Sequence, residues 1–283
     1  MARRRRKDRK KILERKKAIY VLPNLITTAS LFAGFYSIVS AIDGQFVTAA
    51  WAIMASLVLD GLDGKVARAT GSQSRFGVEY DSLSDLVAFG VAPALLAFFW
   101  ALQPVGRLGW LAAFLFVACG ALRLARFNVQ VEEVGTKHFV GLPIPAAACV
   151  IATSVMFVDQ LGYPGPVTEW PVVVMVFVLS FLMVSNIHYL SFKELGIAKL
   201  KSFNWLVATL LLFILVAVQP KIMFFLVLAT YVVLGPLGAA LMAKKRAKAK
   251  EDALAAKKSK ETKDQVDVSG QSNAKEEAAE QLS

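Results

Sequence analysis

The stretch Phe46-Val-Thr-Ala-Ala-Trp-Ala-Ile-Met-Ala-Ser-Leu-Val-Leu-Asp60-Gly-Leu-Asp63-Gly64-Lys-Val-Ala67-Arg68 runs apolar for fourteen residues and then meets two carboxylates. A second stretch reverses the order. Gly77-Val-Glu-Tyr-Asp81-Ser-Leu-Ser-Asp85 comes first, and the apolar run Leu-Val-Ala-Phe-Gly-Val-Ala-Pro93-Ala-Leu-Leu-Ala-Phe-Phe-Trp100 follows. Apolar runs of this length read as membrane spans. Ionised groups at the edge of a span are expensive and point to function. At helical spacing Asp60, Asp63, Gly64 and Ala67 share one face, and Asp81 and Asp85 lie one turn apart. The pattern predicts two helix ends, each offering a pair of carboxylates to a hard divalent cation.

The rest of the chain agrees with a lipid setting. Its 283 residues are 56% hydrophobic, and the mean hydropathy is +0.54. Such values are outside the usual range of a soluble domain. Apolar segments near 24–42, 46–62, 82–101, 108–126, 143–161, 171–190, 203–219 and 222–242 predict an all-α polytopic bundle of about eight transmembrane helices. No cleavable signal peptide is expected, because the first run is long and lacks a small-residue cleavage site.

The formal charge of +11 is concentrated at the start, in Met1-Ala-Arg-Arg-Arg-Arg-Lys-Asp-Arg-Lys-Lys-Ile-Leu-Glu-Arg-Lys-Lys17. Beside a span, such an arm sets topology and touches anionic lipid rather than nucleic acid. With the N-terminus inside, the inner loops take Lys65, Arg68, Arg75, Arg123, Arg126, Lys137, Lys193, Lys199, Lys201, Lys244, Lys245 and Arg246. The outer loops take Arg107 and Lys221. This asymmetry predicts both termini and the acidic motif on the cytoplasmic side, in a prokaryotic inner membrane. The organisation read from composition is a basic arm (1–20), a catalytic membrane domain (21–200), two additional helices (201–242) and a disordered charged tail (243–283). Cys119 and Cys149 fall inside apolar runs and read as small buried hydrophobes.

The full motif is D-x2-D-G-x2-A-R-x8-G-x3-D-x3-D, from Asp60 to Asp85. Carboxylates bind Mg2+ or Mn2+ through oxygen, and two such ions clamp the oxygens of a transferring phosphoryl group. Gly64 and Ala67 lack bulk, so a substrate can lie against the helix; Gly77 allows close approach. Arg68 can neutralise a diphosphate with forked hydrogen bonds, and Lys65 and Arg75 add charge. Helix capping accounts for one Asp, but not for four paired on successive helices. No Ser-His-Asp set is visible, and His138 and His188 stand apart from the motif.

This pattern resembles the signature of the CDP-alcohol phosphatidyltransferase family, with no departure at a defined position. The resemblance implies a helical membrane enzyme, dimeric, that moves a phosphatidyl group from a CDP-linked lipid to an alcohol and releases CMP. It implies that Asp60, Asp63 and Asp81 hold a metal pair with Asp85 close to it. It implies that Asp85 takes the proton of the attacking hydroxyl, and that Gly64, Ala67, Arg68, Ser74 and Gly77 line the CDP-lipid pocket.

Three further stretches look like the phosphatidylserine synthase branch: Leu22-Pro-Asn24-Leu-Ile-Thr27, Arg123-Leu-Ala-Arg126-Phe-Asn128, and Phe139-Val-Gly141-Leu-Pro143-Ile-Pro145. The acceptor would then be L-serine and the donor CDP-diacylglycerol. A serine carboxylate needs a cation, and Arg123, Arg126, Asn128 and Lys137 stand on the correct side; inner-leaflet anchoring is the competing use of the arginines. Glycerol 3-phosphate is the alternative acceptor, and an inositol phosphate fits less well. A divalent-cation transporter is the reading from another class, weakened by a cluster at one interface only. A scaffold would leave four Asp idle.

Overall fold

The computed structural model describes residues 2–72, 74–134, 141–163, 170–187 and 218–238; for 2–21 and 131–134 it describes the helical backbone alone. Among these residues every regular element is helical. We label them α1 (Ala2–Ile42), α2 (Phe46–Thr70), α3 (Arg75–Val105), α4 (Arg107–Val134), α5 (Ile144–Gln160), α6 (Trp170–Val184) and α7 (Pro220–Gly238). Leu22–Ile42 of α1, α2, α3, Arg107–Gln130 of α4, and α7 are each long and apolar enough to cross a membrane; α5 and α6 are shorter apolar helices. The protein is an integral membrane helical bundle. The compact unit runs through Gly235, and beyond it only the end of α7 is described.

Seven of the eight expected spans overlap these helices, although α6 ends at Val184, short of the expected 190. The span expected at 203–219 lies outside the described residues except for its last two, as do Lys137, His138, His188 and the tail. The boundaries around the acidic motif differ from the expectation. α2 does not stop at the carboxylates but continues to Thr70, and α3 starts at Arg75 rather than near 82. Lys65 and Arg68 therefore sit on a helix, not in a loop. The residues after Asp63 are mostly good helix formers, so nothing stops the helix until Gly71. Gly71 adopts φ +62°, and the Ser72 N–H closes onto the Ala67 carbonyl at 3.1 Å. Ser74 then caps α3, its Oγ accepting from the Gly77 N–H at 3.0 Å.

The central helix is α3, which carries Phe89, Leu96, Trp100 and Leu102 into the core. It is not uniform. Wider π-helical turns at Leu86–Val91 and Phe98–Leu102 flank an α-helical segment, Ala92–Ala97. Pro93 has no N–H to give and its ring crowds the preceding turn, which is relieved by widening the helix just before it. The first wide turn begins immediately after Asp85.

α1 lies along α2 and also meets α3. In hydrocarbon the hydrophobic effect does not drive helix pairing, so close packing and hydrogen bonds do. Both are present. Ser30 Oγ and Ser56 Oγ share a 2.7 Å hydrogen bond, and each also lies within donating distance of the other's carbonyl, at 3.1 and 3.0 Å. A Cβ at Gly34 would come within 2.6 Å of Ala88 Cα, so only glycine permits this approach of α1 to α3. Further on, α7 is tied to α5 by the Lys221–Asp159 ion pair at 2.7 Å and by Phe225 stacked on Phe157 at 4.8 Å. Phe32, Phe35, Val58, Phe114, Leu122 and Phe181 point outward, as expected of a lipid-facing surface. Cys119 and Cys149 are buried and free, in keeping with a packing role.

Gly34→Val should force α1 off α3, and Gly61→Ala, with nothing within 4 Å of the new methyl, should be neutral. The expected result is a lost or strongly lowered unfolding midpoint in detergent for the first variant and an unchanged one for the second. Equal midpoints would show that the α1–α3 approach is not required.

Candidate active site

The site is built where carboxylates from α2 and α3 converge beside the Asn24–Ser30 stretch of α1. Asp60 and Asp63 come from α2, Asp81 and Asp85 from α3. Oxygens of Asp60, Asp63 and Asp81 all lie within 4.8 Å of one another. The carboxyl groups of Asp60 and Asp85 are within hydrogen-bonding reach, which two carboxylates tolerate only with a proton or cation between them. All four motif carboxylates therefore converge, as the spacing predicts.

The electrostatics define what this cluster can do. Two full negative charges 4.8 Å apart repel by about 3 kcal/mol at an effective dielectric of ~20. Asp63 is only 5% exposed, so water screens it poorly. Oδ1 of Asp81 is buried with no hydrogen-bond partner among the described residues, although buried polar atoms are nearly always partnered. Three convergent carboxylates, one with an unused buried oxygen, fit a hard divalent cation such as Mg2+ or Mn2+.

Other side chains hold this arrangement. Thr27 of α1 donates to Asp63 Oδ2 at 2.7 Å. Thr28 shares a 2.9 Å hydrogen bond with Tyr80, which stacks on Phe76. Asn128 of α4 donates to Ser82 Oγ at 3.0 Å, which ties α4 to α3 between Asp81 and Asp85. Arg123, one turn and a half earlier on α4, interacts electrostatically with Asp85 and lies 5.6 Å from the centre of the Phe127 ring. Arg126 donates to Asn186 Oδ1 at 2.8 Å, just past the end of α6.

The family model described as CDP-alcohol phosphatidyltransferase matches residues 20–182, more than half of the chain and all four carboxylates. The chain belongs to the CDP-alcohol phosphatidyltransferase family. It is 46% identical over 176 residues to the CDP-diacylglycerol–serine O-phosphatidyltransferase of Helicobacter pylori (strain ATCC 700392 / 26695), covering 62% of this chain and 74% of the relative. It is 35% identical over 185 residues to the protein of the same description from Bacillus subtilis (strain 168), covering 65% and 98%. It is 38% identical over 170 residues to the archaetidylserine synthase of Methanothermobacter thermautotrophicus (strain Delta H), covering 59% and 69%.

Within this CDP-alcohol phosphatidyltransferase the described sequence-predicted residues fall into four groups. Asp60, Asp63, Asp81 and Asp85 meet, with Arg123 in electrostatic range of Asp85. Arg126 and Asn128 are engaged with Asn186 and Ser82. Gly64, Ala67 and Arg68 lie further along α2; among the described residues a Cβ at Gly64 would meet only the Arg68 guanidinium, at 3.7 Å, so none of them closes that face. Ser74 and Gly77 are engaged with each other as the cap of α3, which gives both a structural use beside the expected pocket. Thr27 and Asn186 were not singled out as site residues. Thr27 stands in the quoted Leu22–Thr27 stretch, but spacing alone cannot show that its hydroxyl reaches a carboxylate on another helix. Asn186 follows an apolar span and carries no local motif.

Asp81→Asn should weaken Mn2+ binding by more than about 100-fold, beyond what indirect partners of a metal contribute, while Glu79→Gln, exposed on the same helix, should leave it unchanged. Titration of detergent-purified protein with Mn2+, followed by electron paramagnetic resonance, measures both.

Proposed function

We propose that this protein transfers the phosphatidyl group of CDP-diacylglycerol to the hydroxyl of L-serine, releasing CMP and forming phosphatidylserine. The observation that carries this is the four-carboxylate cluster, with Arg123 in electrostatic range of Asp85, in a chain 46% identical to a relative named for that reaction. Family membership removes the transporter and scaffold readings. Serine is common to the names of the bacterial and archaeal relatives, which favours it over glycerol 3-phosphate.

In this reading Asp60, Asp63 and Asp81 hold one or two divalent ions, with Asp85 at their edge. Bound there, such ions supply charge neutralisation for the diphosphate. The lipid enters sideways from the bilayer, and its nucleotide lies against the open face at Gly64 and Ala67. Arg68 pairs with phosphate oxygens through its planar fork. Arg123 and Arg126 receive the serine carboxylate; Asn128 keeps α3 and α4 in register through Ser82. Asp85 accepts the hydroxyl proton as the serine Oγ–phosphorus bond forms. The bond from phosphorus to the CMP oxygen breaks in the same in-line displacement, and CMP leaves as a phosphomonoester. With no covalent enzyme intermediate, configuration at phosphorus inverts.

The positive-inside bias supports a cytoplasmic site, with both termini on that side of a prokaryotic inner membrane. Residues 21–200 would be the catalytic membrane domain, 201–242 two added helices, 243–283 a charged tail, and the working unit a homodimer.

Asp85→Asn is expected to retain CDP-diacylglycerol binding and lose at least about 100-fold in turnover, the lower range for a general base. Asp63→Asn is expected to lose both. Near-normal turnover in Asp85→Asn would remove it from the base role. Arg126→Ala should raise the serine KM about tenfold or more, the effect of one charge-assisted hydrogen bond, with little change for CDP-diacylglycerol. Equal effects on both substrates would argue against acceptor binding.

A further inference from the structure

We propose that Thr27 is a positioning residue of the metal site, acting through its hydrogen bond to Asp63. The proposal rests on the metal assignment above. Several hydroxyls inside these helices have a different use. Thr28, Thr70, Thr153, Ser154 and Ser180 each donate to the carbonyl four residues earlier at 2.7 Å. This is the ordinary way a helix in hydrocarbon satisfies a hydroxyl. Thr27 departs from it. Its distance to the Pro23 carbonyl is 3.1 Å, while Asp63 Oδ2 lies at 2.7 Å. A hydroxyl has one proton, and the shorter, charge-assisted bond takes it.

The site favours this choice. Thr27 is 4% exposed and Asp63 is 5% exposed, so the bond is shielded from competing water. The carboxylate has about four lone-pair sites; Thr27 uses one and leaves the rest for a cation. The bond crosses from α1 to α2, so it fixes the orientation of Asp63 relative to a helix that carries no carboxylate ligand. Its neighbours on α1 extend the same support to α3. Thr28 meets Tyr80, and Asn24 Oδ1 lies 3.5 Å from where a Gly77 side chain would begin. The segment Asn24–Thr28 is thus a strut against both carboxylate-bearing helices, and Thr27 is its contact with a ligand.

Partners that orient a metal-bound carboxylate typically change metal affinity by about 10- to 100-fold. The test compares Mn2+ binding, without substrates, in full-length wild type, Thr27→Val, Thr27→Cys and Thr153→Val, the last a buried threonine of α5 that bonds only to backbone. Valine keeps the shape and removes the donor; cysteine offers a weak one. Unfolding midpoints in chelator are read alongside, so that a packing defect is seen separately. The expected result is weakening of about 10- to 100-fold in Thr27→Val, less in Thr27→Cys, and none in Thr153→Val, with chelator midpoints close to wild type. If Thr27→Val does not fold, Thr27→Cys carries the test, with weakening of severalfold expected. Wild-type affinity in the Thr27 variants, or equal weakening in Thr153→Val, would overturn the proposal. Failure of the wild type to bind Mn2+ would instead overturn the metal assignment itself.

Discussion

Like charge gathered in a poorly screened place is the constraint around which this bundle is organised. Asp60, Asp63 and Asp81 bring oxygens within 4.8 Å of one another, and Asp85 touches the group through Asp60. Left alone, that arrangement would push α2 and α3 apart. What opposes separation is structural and chemical together. α1 binds α2 through the Ser30–Ser56 pair and approaches α3 at Gly34, where no side chain intervenes. α4 reaches α3 through Asn128 and Ser82. A divalent cation would match the remaining repulsion, and the buried oxygen of Asp81 is suited to receive one.

The same arrangement suits transfer at a diphosphate. A CDP-linked lipid brings more negative charge to the cluster, which is tolerable only with metal and guanidinium groups present. Arg68 lies one turn beyond Gly64 on the open face of α2, and Arg123 approaches Asp85 from α4. In the proposed reaction donor and acceptor would meet the carboxylates from different helices. That division would leave Asp85 between them, at the point where α3 widens into a π-helical turn. Such turns interrupt helical periodicity and recur at functional positions.

Much of this was legible in the chain, and the reason is spacing. Asp60 to Asp63 and Asp81 to Asp85 are helical intervals, so convergence on one face followed from period alone. Apolar length gave the spans, and Pro143 and Pro145 stand at the start of α5. Helix limits near the motif were less legible. Polarity suggested that α2 ended at its carboxylates, yet Lys65 through Ala69 favour helix as strongly as they favour water. Contacts between helices were not legible. Nothing in the local sequence pairs Thr27 with Asp63 or Arg126 with Asn186, because such pairs are 36 and 60 residues apart and are fixed only by packing. The expected roles of Ser74 and Gly77 show the reverse case, in which a family position also has a local use as a helix cap.

The most direct test of the account is CMP release by the purified protein given CDP-diacylglycerol and Mn2+, with serine, glycerol 3-phosphate or inositol phosphate offered in parallel. The account predicts release that depends on serine and stops with a chelator. Release with glycerol 3-phosphate and not with serine would contradict the acceptor. Release that survives the chelator would contradict the role given to the four carboxylates.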